Sequence, residues 1–227
     1  MSAADALPHA PEAVIFDMDG LMLDSERAIL GCLRRAAAEQ GAGIEPDWWL
    51  RTIGHTDDMC RELLGARIGA DAAAALLERG HALYVAVAEA GVPHRPGIVE
   101  LLELLAAHDV PRAVATSTRR PLALRKLAAA DLLWRFDAVC TSSDVERPKP
   151  APDVYLLAAQ RLGVAPARCL VLEDSPTGVR AALAAGMTPV QVPDLLVPDE
   201  AVRALGHRIV ASLADAQALL SPWLRER

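Results

Sequence analysis

Val14-Ile15-Phe16-Asp17-Met18-Asp19-Gly20, running on into Leu21-Met22-Leu23-Asp24-Ser25-Glu26, decides the fold. Three apolar residues of β-branched and aromatic type predict a short buried strand. It stops at two carboxylates that flank one residue and precede a glycine. In an open α/β sheet the ligand crevice lies beyond the carboxyl ends of the strands, so a parallel sheet would place these acids at the working edge. Alternate residues of an extended chain point the same way, which directs Asp17 and Asp19 toward one space. Close carboxylates repel unless a cation joins them, and hard oxygen donors suit Mg²⁺. Taken alone, Asp19-Gly20 fits a plain turn equally well.

Downstream of Gly20 the period becomes helical. Ala28, Leu30, Leu33, Ala36 and Ala37 predict a helix that stops at Gly41 and Gly43. Pro46 opens a short one, Thr56 with Asp57 and Asp58 another, and Asp71 an alanine-rich one reaching Gly91. Residues 24–93 therefore read as an all-helical insert, with residues 1–23 and 94–227 forming the surrounding α/β domain. After Pro93-His94-Arg95-Pro96-Gly97, strands and helices alternate, which predicts a parallel sheet. The strand at Ala113-Val114-Ala115 runs into Thr116-Ser117-Thr118, that at Asp137-Ala138-Val139-Cys140 into Thr141-Ser142-Ser143-Asp144, and that at Cys169-Leu170-Val171-Leu172 into Glu173-Asp174. With Asp17 and Asp19, four polar clusters fall on one edge. Carboxylates, hydroxyls, the nearby Lys149 and the positive end of a helix opening at Pro121 make a phosphate site of that edge.

Composition narrows the function classes. Hydrophobic residues make up 52% of 227, enough for a sizeable core, and a net charge of −7 without any basic cluster argues against a nucleic-acid surface. No apolar run is long enough for a membrane span, and no signal-like segment precedes the first helix. Four scattered cysteines, Cys32, Cys60, Cys140 and Cys169, are expected as buried free thiols. A soluble cytoplasmic protein, monomeric or a small homo-oligomer, is the expectation, with residues 1–12 as a loose tail. Arginine outnumbers lysine 21 to 2, which makes Lys126 and Lys149 easy to weigh.

Asp17-Met18-Asp19-Gly20, Thr116-Ser117-Thr118, Lys149-Pro150-Ala151-Pro152-Asp153 and Glu173-Asp174-Ser175, in that order, resemble the four motifs of the haloacid dehalogenase superfamily. The resemblance is to its β-phosphoglucomutase-like branch of phosphatases and mutases, and it spans residues 11–212. It implies a Rossmann-like α/β core with a helical cap inserted between the first two motifs. It further implies that Asp17 is the nucleophile and Asp19 the general acid and base. Thr116, Ser117 and Lys149 would hold the phosphoryl group, Lys149 serving catalysis as well. Mg²⁺ would be held by Asp17, the Asp19 backbone carbonyl and Asp174, with Glu173 as a further or more distant ligand.

The same comparison bears on the reaction. Asp19 argues against halide chemistry, and a cap without lysine argues against a phosphonate-cleaving Schiff base. Related mutases carry a histidine where this chain has Ile29, and more cations around residues 52–58, so hydrolysis of a small phosphorylated metabolite such as a sugar phosphate is the expectation. A hexose-phosphate mutase is the alternative, with a non-catalytic phosphometabolite-binding protein behind it. Trp49, Arg51 and His55 are the candidate specificity residues, Trp49 as a sugar-stacking ring or as core, while His9, His81, His94, His108 and His207 read as structural.

Overall fold

The strand β1 (Ala13–Phe16) is buried along its whole length and lies at the centre of a six-stranded, all-parallel sheet of order β3-β2-β1-β4-β5-β6. The partners are β2 (Arg112–Thr116), β3 (Ala138–Thr141), β4 (Cys169–Glu173), β5 (Thr188–Gln191) and β6 (Arg208–Ile209). In register, Phe16 pairs with both Val114 and Leu172, so β2 runs two residues and β4 one residue beyond the end of β1. Strand order reverses around β1, and at such a reversal the loops leave in opposite directions and open a crevice.

A computed structural model describes residues 7, 10–53 and 57–224. The chain forms two compact units, Met1–Leu23 with His94–Arg227, and Asp24–Pro93. In the first, Ile15, Ala113, Ala115, Cys169 and Val171 from one face of the sheet join a core with Val154, Tyr155, Ala158 and Ala159 of the helix Asp153–Leu162 and Ala181 and Ala182 of the helix Pro176–Ala184. The strands are buried on the opposite face too, as Val14, Phe16, Val114, Leu170 and Leu172 show, which is why they read as unbroken apolar runs rather than alternating ones. Phe16 meets the ring of Phe136 edge-on, with centroids 5.7 Å apart.

The second unit contains α1 (Ser25–Glu39), a 3₁₀ turn (Pro46–Thr52), α2 (Asp57–Ile68) and α3 (Ala70–Ala90); α3 packs against both α1 and α2. Its two chain ends meet where Asp24 N–H donates to Pro93 O at 2.8 Å. The remaining helices, all in the first unit, are α4 (Ile98–Ala107), α5 (Arg120–Ala129), α6 (Asp153–Leu162), α7 (Pro176–Ala184), α8 (Glu200–Arg203) and α9 (Leu213–Leu224). The short α8 has no apolar stripe of its own and goes unpredicted; Asp199 caps it by accepting from Val202 N–H.

All four cysteines are free and buried. Among the described residues no helix is long and apolar enough to cross a membrane. The loose-tail expectation needs correcting where the chain is described: Leu7 is buried, and Glu12 N–H donates to Arg168 O while its carboxylate pairs with the Arg168 guanidinium. Residues 1–6, 8 and 9 lie outside the described residues.

Candidate active site

Four segments meet beyond the ends of β1, β2 and β4. The loop after β1 turns sharply, with Met22 and Leu23 N–H both donating to Met18 O, and Gly20 at φ +83°. A Cβ at Gly20 would overlap the Asp174 carboxylate, so only glycine allows the first motif to approach the fourth this closely. Asp17 itself is 6% exposed.

Lys149 joins the two ends. Its ammonium donates to Asp17 Oδ1 at 2.6 Å, Glu173 Oε1 at 2.7 Å and Ala115 O at 3.0 Å, and lies 4.7 Å from the centre of the Tyr155 ring. Burial works against its charge, but the Asp17 and Glu173 carboxylates hold its pKa well above the ordinary lysine value. Asp17 is pushed up to about 7, chiefly by burial and also by the charges of Glu173 and Asp19, against the pull of Lys149. Burial thus disfavours the charged form of Asp17, and the neighbouring carboxylates add to that effect.

Glu173 is completely buried, and four donors saturate it. Lys149 and the Tyr155 hydroxyl (2.9 Å) take Oε1, while Ser175 N–H (2.8 Å) and its hydroxyl (2.9 Å) take Oε2. A carboxylate has about four lone-pair positions, and here each has a donor. Tyr155, in the first turn of α6, therefore belongs to the site. Nothing in the sequence singles it out, because a tyrosine on a helix facing a sheet reads the same whether its hydroxyl is used or not.

Asp19 carries a separate pair of contacts. Thr118 Oγ1–H donates to Asp19 Oδ2 at 2.6 Å, and Lys126 Nζ pairs with Asp19 Oδ1. Lys126 was set apart in the sequence only by the scarcity of lysine. Thr116 is buried, its Oγ1 accepting from Thr118 N–H at 3.0 Å, and Ser117 is exposed at the loop tip.

Oxygens of Asp17, Glu173 and Asp174 lie within 4.8 Å of one another, and with those of Glu173 already taken by donors, Asp17 and Asp174 are the carboxylates of this cluster with the hardness Mg²⁺ takes. A cation there would favour the charged form of Asp17, which burial disfavours.

In the helical unit, Trp49 is 1% exposed, edge-on to Trp48 with centroids 5.7 Å apart, in a turn packed against α1 and α2. Its ring is core, which corrects the sugar-stacking reading. Arg51 is exposed, and His55 lies outside the described residues. His94 and His108 bond backbone oxygens, Ala130 O at 2.7 Å and Leu104 O at 2.9 Å, in keeping with structural roles.

Comparison with known proteins identifies the family. Residues 11–186 match the model of the haloacid dehalogenase-like hydrolases. The chain is 33% identical, over 92% of its length and 90% of the relative's, to a phosphorylated carbohydrates phosphatase of Thermotoga maritima. Among solved structures it resembles a HAD family hydrolase of Deinococcus radiodurans with bound phosphate and sodium, at 33% identity and TM-score 0.79, covering 95% of this chain and 97% of that one. It is also similar to a putative beta-phosphoglucomutase of Thermotoga maritima, at 31% identity and TM-score 0.78 over 94% and 98% of the two chains. The chain belongs to the haloacid dehalogenase-like hydrolases, in the branch that holds sugar-phosphate phosphatases and β-phosphoglucomutase-like proteins.

Proposed function

We propose that this hydrolase, a phosphatase by its family and relatives, releases phosphate from a small phosphorylated carbohydrate through a phosphoryl group carried on Asp17. The observation that carries the reading is the meeting of Asp17, Lys149, Glu173 and Asp174 where the strand order reverses. In the first half-reaction an Asp17 carboxylate oxygen attacks phosphorus, the bond from phosphorus to the sugar oxygen breaks, and Asp19 delivers a proton to that oxygen. In the second, water attacks phosphorus, gives its proton to Asp19, and the bond to Asp17 breaks, leaving inorganic phosphate and free Asp17.

Phosphoryl transfer leaves little covalent work to the protein, so positioning and charge dominate. Lys149 would face the transferring oxygens, held there by Glu173 and the Tyr155 ring, with Thr116 and Ser117 orienting the phosphoryl group. Asp17, Asp174 and the Asp19 backbone carbonyl would hold Mg²⁺. Glu173, whose oxygens are already taken by donors, supports Lys149 in place of binding the metal directly. When bound, the ion supplies charge neutralisation at the phosphoryl oxygens. Arg51 and His55 of the helical unit are proposed to read the sugar.

A second reading, a mutase, draws on the likeness to the β-phosphoglucomutase-like structure. A phosphate-release screen over sugar and sugar-alcohol phosphates in Mg²⁺ separates the two, with Asp17→Asn as blank. Release lost in Asp17→Asn supports the phosphatase; conversion to an isomeric phosphate without release supports the mutase.

A further inference from the structure

We propose that Lys126 is a positioning residue for Asp19, holding its carboxylate where the leaving oxygen must be met. The inference rests on the phosphatase reading, in which Asp19 is the proton donor. With 21 arginines, the chain has two lysines, and both are buried against the aspartates of one motif: Lys149, 4% exposed, on Asp17, and Lys126, 2% exposed, on Asp19. Everywhere else a cationic side chain is arginine, whose broad planar fork needs more room than a compact ammonium. The two lysines thus stand where a point charge must fit into the protein interior.

Lys126 lies in the second half of α5, among the buried Ala123 and Leu127, so its stem is fixed by packing along the helix. Its ammonium takes Asp19 Oδ1, and the Thr118 hydroxyl takes Oδ2 at 2.6 Å. Two donors, Thr118 in the connection after β2 and Lys126 two turns into α5, hold the two oxygens of one carboxyl group. That leaves the Asp19 side chain, 28% exposed, little rotational freedom. With Oδ1 held by the ammonium, the proton for the leaving oxygen is carried on Oδ2, whose hydroxyl partner can accept as well as donate, and a group so fixed meets that oxygen without an ordering cost at the moment of transfer.

The test exploits the leaving group. An alkoxide needs a proton to depart, whereas p-nitrophenolate does not. Lys126→Met keeps the length and packing of the stem, and Thr118→Val removes the second donor should the first variant fail to fold. kcat/KM, which reports the first half-reaction, is measured for a sugar phosphate and for p-nitrophenyl phosphate, alongside Asp19→Asn. The expected result is a loss of about 30-fold or more on the sugar phosphate, about fivefold or less on the aryl ester, and a sugar-phosphate KM within about threefold of the parent. Equal losses on both substrates, or none, in Lys126→Met while Asp19→Asn is selective for the alkyl ester would overturn the role of Lys126 alone. Equal losses in Asp19→Asn itself would remove the proton-donor reading, and this proposal with it.

Discussion

Lys149 and Glu173, 24 residues apart, form a buried ion pair of 2.7 Å, and the same ammonium reaches Asp17 at 2.6 Å. Three charges share one desolvated space, so the lysine is both a structural counter-ion and a member of the site. Lys149→Met would leave two buried carboxylates without their cation. We expect a loss of about 3 kcal/mol or more in stability, read by urea unfolding without Mg²⁺, and about 10²–10³-fold in kcat.

Gly178 in the first turn of α7 has no room for a side chain: a Cβ there would overlap the Glu173 carboxylate. Glu173 cannot yield, because backbone and side chains of four donors fix it. Gly178→Ala is expected to cost about 2–3 kcal/mol, read by denaturation, and to lower kcat by displacing Lys149.

Tyr155→Phe deletes one hydrogen bond to a charged acceptor and keeps the ring beneath Lys149. A cost of about 1–2 kcal/mol is expected, with kcat reduced less than tenfold. A variant indistinguishable from the parent in both unfolding and turnover would remove Tyr155 from the site.

Asp144, beyond the sheet edge, titrates at about 2. Burial opposes this, but the Arg120 guanidinium, at 3.0 and 2.5 Å, and the Thr141 hydroxyl and N–H, each at 2.8 Å, hold the charged form. A folded pKa below the ordinary 3.8 stabilises the fold fully above about pH 4, and that contribution is lost as pH falls toward 2. Asp144→Asn should therefore cost about 1–2 kcal/mol at pH 7, and the difference from the parent should shrink through that acid window.

Trp49→Ala separates core from substrate contact. As a buried indole it should cost about 3–5 kcal/mol, measured by thermal and urea unfolding. A change confined to KM, with stability intact, would restore the sugar-stacking role.

The sheet and the acids at its edge were legible because they depend on local features: apolar runs that end in Asp-x-Asp, in Thr-Ser-Thr and in Glu-Asp. Parallel strands bury both faces, so β1, β2 and β4 announce themselves without alternation. Partnerships made across the fold were not legible. Lys149 stands 132 positions from Asp17 and Lys126 107 from Asp19, and nothing in the spacing says which lysine meets which aspartate. Tyr155 was hidden for a related reason, since a helix's buried face shows its apolar ring and conceals a hydroxyl aimed at Glu173. Trp49 shows the converse, an aromatic suited to a sugar that the protein spends on its interior.

Peptide mass spectrometry after acid quench of a single turnover on a sugar phosphate, in Mg²⁺, tests the central claim most directly. The account predicts a transient phosphoryl adduct on the peptide carrying Asp17, decaying as inorganic phosphate appears, with neither seen in Asp17→Asn. Phosphate release with no adduct on Asp17, or undiminished release by Asp17→Asn, would contradict it.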